Sequence, residues 1–168
     1  MKRNLILKIV AGIASLVFLN SCMFFKSIQP FETGNISATA RVLIAAQASE
    51  FKENILTKIV NGFEKEPVYI KVIDIQKLKK ESAENFQAIV IINTCVAWRM
   101  SAAAADFIKK TKENQKYRVI LFSTADDENW LPEKAGVDAV TSASRPEKSN
   151  QVANIIIKRI RMRIENHL

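Results

Sequence analysis

The chain is poor in the residues that most hydrolytic and metal sites are built from. Its only histidine is His167, so neither a Ser-His-Asp triad nor a histidine-ligated zinc site has a credible base or ligand. Cysteine is limited to Cys22 and Cys95; once Cys22 is set aside with the N-terminal segment discussed below, Cys95 has no partner and a disulfide framework is excluded. Cys95 is then either a small buried apolar residue or an accessible thiol. Glycine and proline number four each in 168 residues, too few for a collagen-like or disordered chain. There are no repeats and no second domain. The acidic run Asp126-Asp127-Glu128 has no calcium-loop spacing and reads as a solvated turn. No nucleic-acid recognition motif accompanies the basic residues, so nucleic acid is not an expected partner.

What is present begins with an unusual N-terminus. Lys2 and Arg3 precede an apolar run from Leu5 to Leu19, broken by Lys8 and ending in Leu19-Asn20-Ser21-Cys22. The run is short for a membrane span and carries a charge, which suits a signal segment over residues 1–21. "LNSC" resembles the lipobox of bacterial lipoproteins. The resemblance implies cleavage before Cys22 and acylation of Cys22 with palmitate-type chains. It places the remainder outside the cytoplasm, anchored by lipid in the cell envelope at the inner or outer membrane. Met23, in place of an aspartate after the cysteine, is compatible with outer-membrane sorting under enteric rules. Removing Lys2, Arg3 and Lys8 takes the formal charge from +8 to +5. The excess sits in "IIIKRIRMRIENHL", read as the polar side of a last helix resting near anionic lipid.

Residues 22–40 mix polar, glycine and proline positions without periodicity, as a lipidated tether would. Regular patterning begins at Arg41. Val42 to Ala46 is apolar throughout, suited to a strand buried on both faces. Phe51, Ile55, Ile59 and Phe63 recur every four residues, one face of a helix with Ser49 as its N-cap and Gly62 weakening its end. "VYIKVIDI", "AIVIIN", "YRVILFST" and "GVDAV" read as further strands. "LKKESAENF", "SAAAADFIKKTK" and "EKSNQVANIIIKRIRMRI" read as helices, the first short and polar. Strands alternating with helices imply a mostly parallel sheet, right-handed crossovers and helices on both faces, one domain over residues 41–168.

This order of elements resembles the flavodoxin-like fold: α/β, three layers, five mostly parallel strands in the order 2-1-3-4-5, with a ligand crevice at the switch point beyond the strand C-termini. Three loops should line that crevice. In the first, "AQASEF", flavodoxins carry hydroxyls and a glycine around the flavin phosphate. Here Ala46, Ala48 and Phe51 stand at the hydroxyl positions, Ser49 stands for glycine, and Glu50 adds a negative charge. The second, "NTCVAWRMS", and third, "STADDENWLPEK", carry Trp98 and Trp130. These match, by loop, the aromatic side chains that flank the flavin ring in flavodoxins.

Past the last strand, "DAVTSAS" resembles the acceptor motif of extracytoplasmic flavoproteins, where a flavin transferase joins flavin mononucleotide (FMN) through its phosphate to a hydroxyl. Asp138, Thr141 and Ala143 match, Ser142 replaces a glycine, and Ser144 stands where the acceptor threonine would be. A hydroxyl between strand and helix would be exposed, with a helix N-terminus and Arg145 near the phosphate. The plainer role for Thr141, Ser142 and Ser144 is to satisfy turn and helix-start amides, with Pro146 in the first turn.

Two functions follow from these residues. One is an anchored redox module carrying FMN for electron transfer with a membrane partner, the cofactor doing the chemistry. The other is a cofactor-free domain that binds a protein or envelope component. Both require the anchor. Cys22→Ser is expected to move the protein from the detergent phase to the aqueous phase in a phase-partition experiment; unchanged partitioning would remove the lipoprotein reading.

Overall fold

The computed structural model describes residues 26–132 and 135–165. The signal segment, Cys22 and His167 lie outside the described residues. Six strands form one sheet: β1 (Phe31–Gly34), β2 (Ala40–Ala46), β3 (Val68–Asp74), β4 (Ala88–Thr94), β5 (Val119–Thr124) and β6 (Asp138–Ser142). Three helices accompany it: α1 (Glu50–Asn61), α2 (Ala102–Lys110) and α3 (Ser149–Glu165). The strand order is β1-β3-β2-β4-β5-β6, with every neighbouring pair parallel except β1 and β3.

The expected five-strand sheet is therefore corrected to six. The five parallel strands keep the relative order second, first, third, fourth, fifth. The addition is β1, from residues expected to be tether, which pairs antiparallel with β3 from Phe31 opposite Val72 to Gly34 opposite Tyr69. All four of its residues are exposed, which explains why no apolar alternation marks it. The domain begins before Arg41: Ile28 is buried, and its amide donates to Asp74 Oδ2 at 3.1 Å.

The core follows the strand alternation. Val42, Ile44, Val90, Ile92, Ile120 and Phe122 face α1 and α3, while Leu43, Ala45, Ile89, Ile91 and Leu121 face α2. β2, β4 and β5 are thus buried on both sides, as their continuous apolar runs require. Ser49 caps α1, its Oγ accepting from the Lys52 amide at 3.3 Å. Ile55, Leu56 and Ile59 carry the helix into the core, each worth about 1.5–3 kcal/mol in removed apolar surface. Gly62 is a packing residue, not a left-handed cap: a Cβ there would lie 2.7 Å from Ile157 Cδ1 of α3.

Two further expectations change. "LKKESAENF" forms no α-helix. It forms two 3₁₀ segments, Ile75–Lys80 and Ala83–Asn85, because Asp74 and Ser82 each cap a new start and Ile75 and Leu78 bury at three-residue spacing. The basic C-terminal helix holds its arginines within the domain. Arg159 and Arg163 both bind the Asp138 carboxylate, the latter at 2.6 Å, and Arg161 reaches Glu66 at 2.6 Å. Arg159 and Arg163 are thereby committed to the protein, while Lys158 and Arg161 stay exposed on the helix.

Gly34 has φ +85°, and a Cβ there would approach the Val68 carbonyl oxygen to 2.0 Å. Gly34→Ala is expected to lower stability by about 1–2 kcal/mol. It should also speed amide hydrogen exchange in β1 and its β3 partners; unaltered protection there would contradict the edge pairing.

Candidate site at the strand C-terminal edge

β2 and β4 are neighbours, yet the chain leaves them on opposite faces, toward α1 and toward α2. Their C-terminal ends therefore border a crevice. Asn93 anchors its floor. Fully buried, it donates through Nδ2 to Ser123 Oγ at 3.3 Å and accepts the Ser101 amide at Oδ1 at 2.9 Å. This fixes both ends of the β4–α2 loop, and the Cys95 amide adds a 2.8 Å bond to the Thr124 carbonyl.

Between those fixed ends the loop makes a tight two-residue turn. Val96 and Arg99 exchange backbone bonds, amide to carbonyl, at 2.9 and 3.1 Å. The central residues, Ala97 and Trp98, both have positive φ, +49° and +62°. Neither is the glycine or asparagine such a turn favours, so the turn carries local strain. The result is an indole held out at the tip, 69% exposed.

Trp98 and Trp130 line the same cleft, about 650 Å³, with Arg99, Met100, Leu131 and Pro132. The structure thus brings together the two tryptophans that the loops suggested. On the other side of Trp98 a smaller hollow of about 250 Å³ contains Cys95, Asp126 and Asp127. Cys95 is half-buried, between the two alternatives left open for it. Among the described residues no group of acidic, cysteine or histidine side chains is placed to hold a metal ion.

The first loop is closed on itself. The Gln47 amide donates to the Ile92 carbonyl at 3.0 Å, and its Oε1 accepts the Thr94 amide at 2.6 Å. Lys52 is buried, and its ammonium donates to Thr94 Oγ1. Burial holds the Lys52 pKa below the usual lysine value. Ser49 is occupied as the cap of α1. Where a phosphate-wrapping loop would stand, protein side chains fill the space. A flat aromatic group fits the tryptophan cleft; a phosphate does not fit the first loop.

The acceptor-like residues divide. Asp138 sits at the start of β6, a strand length from the crevice, clamped by Arg159 and Arg163. These pairs tie β6 to α3. Thr141 and Ser142 belong to the strand itself, paired with Ser123 and Thr124, and are not turn residues. Thr141 Oγ1 is buried without a hydrogen-bond partner, and Ser142 Oγ donates to the Ala143 carbonyl at 3.1 Å. Ser144 is exposed just beyond the strand, as an acceptor must be. However, Pro146–Lys148 form a 3₁₀ turn before α3 starts at Ser149, so Ser144 does not abut that helix N-terminus. Arg145 lies 4.0 Å from Glu128, which also takes Lys148 at 3.2 Å, tying this loop to the one bearing Trp130.

Sequence reasoning missed Asn93, Thr94, Gln47 and Lys52. A polar residue ending an apolar strand was the available signal for the first two. Lys52 gave none, since a lysine one residue after a buried phenylalanine reads as solvated.

Solved structures with this arrangement include flavodoxins. A flavodoxin from the domain Archaea superposes with a TM-score of 0.51 at 13% identity, covering 73% of this chain and 98% of that one. Two-electron reduced Megasphaera elsdenii flavodoxin gives 0.52 at 11% identity, covering 71% and 98%. The Streptococcus pneumonia TIGR4 flavodoxin gives 0.52 at 7% identity, covering 74% and 99%. The domain has a flavodoxin-like fold. At these identities the likeness concerns the fold alone, and no protein family or curated protein matches the chain.

The buried amine supplies a test of the closed first loop. The unfolded chain binds the Lys52 proton up to about pH 10.4, whereas the folded chain releases it at lower pH. Between those values the unfolded state holds more protons, so stability rises with pH. Lys52→Met is expected to gain about 1 kcal/mol at pH 7 by replacing a buried charge with an apolar chain. Urea titrations at pH 7 and pH 9.5 should show that gain shrinking at the higher pH; a constant difference would mean the amine is solvated.

Proposed function

We propose that this is a membrane-anchored, extracytoplasmic flavodoxin-like lipoprotein whose tryptophan cleft holds the ring of a flavin for electron transfer. The observation that carries the reading is the convergence of Trp98 and Trp130 on one cleft at the strand C-terminal edge. Indole faces and the apolar walls of Met100 and Leu131 suit a flat, conjugated ring. The strained turn presenting Trp98 is the kind of local cost that folds maintain at ligand sites. Bound flavin would supply the one- and two-electron chemistry, the protein supplying placement and exclusion of water.

The phosphate end needs a different holder from the closed first loop. Ser144 is that holder in this reading. Its Oγ would hold the flavin phosphate as a phosphodiester, formed as the phosphoanhydride bond of a flavin dinucleotide breaks, the nucleoside monophosphate leaving and the transferase taking up the serine proton. Arg145 is beside it to pair with the resulting phosphodiester, exchanging its long contact with Glu128. Asp138 and Thr141 take no part, being committed to the α3 clamp and the strand.

The anchor is Cys22, with the apolar segment before it as the export signal. Among the described residues no helix is long and apolar enough to cross a membrane, so attachment in this reading rests on lipid.

A second reading has specific support: the closed loop of Gln47, Lys52 and Thr94 is what a domain without nucleotide would retain. Then the cleft takes a protein or envelope component.

Intact-mass and absorbance measurements on protein made through its own export route separate the two. The flavin reading expects one flavin mononucleotide linked per chain, lost in Ser144→Ala, with Trp98→Ala and Trp130→Ala altering the flavin absorbance. An unmodified mass, together with no visible absorbance after adding free flavin mononucleotide, would leave the cofactor-free domain.

A further inference from the structure

The exposed apolar side chains at the strand C-terminal edge are not scattered. Val96 and Trp98, at 68% and 69% exposure, project from the same strained turn, and Leu131, at 57%, lies across the cleft from Trp98. Large apolar groups held out of the fold in this way mark a contact surface.

The path of the chain says what that surface meets. Because β1 runs antiparallel to β3, it descends from the C-terminal edge of the sheet. The residues before it are fixed at that same edge. Lys26 pairs with Glu53 in the first turn of α1 at 2.7 Å, and the Ile28 amide is held by Asp74 at the end of β3. Cys22 lies four residues before Lys26, a reach of at most about 14 Å. A lipid anchor at Cys22 would therefore be tethered within that reach of the edge that carries Val96, Trp98 and Leu131.

We propose that this edge is the membrane-facing surface of the domain, with Trp98, Val96 and Leu131 seated in the lipid–water interface beside the anchor. This rests on the membrane attachment proposed above and adds its geometry. Tryptophan is suited to that depth, its ring apolar and its N–H still able to find a polar partner. The contact is apolar in character: among the described residues the charges around it are mixed in sign, with Arg99 in the cleft, Asp126 and Asp127 beside Trp98, and Glu128 paired to Arg145 and Lys148. The alternative orientation places the basic end of α3 at the bilayer. That end lies at the opposite edge, where Arg163 donates to the Tyr117 carbonyl at 2.9 Å.

The two orientations are separated by brominated-lipid quenching in the full chain, produced through its export route and reconstituted into zwitterionic phosphatidylcholine vesicles. In Trp130→Phe the remaining indole is Trp98; its emission should be blue-shifted and at least halved by lipid brominated in the upper acyl chain, with little change at high salt. In the triple variant Trp98→Phe, Trp130→Phe, Tyr117→Trp, the reporter at the opposite edge should stay unquenched. Circular dichroism and co-flotation establish folded, bound protein in both. Bound protein with Trp98 unquenched, or with the position-117 reporter quenched instead, overturns the proposed orientation while leaving the anchor intact. Failure of wild-type protein to float with vesicles overturns both this proposal and the membrane attachment it rests on.

Discussion

The placement of β4 between β2 and β5 is the constraint from which the rest of the edge follows. Residues 88–93 of β4 are fully buried on both faces, and both neighbouring strands run parallel to it. A parallel strand cannot turn directly into its neighbour, so each chain segment must leave over a helix or a long loop. α1 takes one face and α2 the other, opening the crevice between two strands that share a ladder of hydrogen bonds. Asn93 then converts that opening into a rigid frame. Its side-chain amide holds Ser123 on one side and the start of α2 on the other.

On that frame the two halves of the crevice are treated differently. The half toward α1 is sealed by Gln47 and by the Lys52 ammonium on Thr94, groups that satisfy strand-end polar atoms and leave no cradle for a dianion. The half toward α2 is left open, and its loop stands in a conformation that Ala97 and Trp98 adopt only because the flanking bonds hold it. Sealing relieves unmet hydrogen bonding; strain adds to the free energy of the fold. The strained turn and the open cleft thus fall in the same half, around the two tryptophans.

The parallel core was legible because period and burial agree there. Runs such as Val42–Ala46 and Ala88–Ile92 are apolar on every residue, and only a strand covered on both faces suits them. β1 was not legible because an exposed edge strand buries nothing and leaves no pattern; its Gly34 and the pairing with β3 decide it. The 3₁₀ segments after β3 were hidden by the likeness of short helical periods. At the site, Trp98 and Trp130 could be named from loop position alone, since residues after adjacent parallel strands must meet at one edge. Thr141 and Ser142 were misplaced for a related reason. Hydroxyl residues favour turns, but here the ladder with Ser123 and Thr124 extends β6 through them. Asp138 was misread because a motif ignores what lies opposite, and two arginines one helical turn apart on α3 lie opposite it.

The edge strand also explains how residues 26–28 and the candidate site come to share one edge of the sheet. A chain that began directly with β2 would start at the far edge of the sheet, since β2 runs toward the crevice. Adding one antiparallel strand reverses the starting end: β1 runs down beside β3, turns through residues 35–39, and feeds β2 from below. The turn relies on Gly34 at positive φ, pressed against Val68. Four exposed residues that contribute little to the core thereby decide at which edge of the sheet residues 26–28 lie.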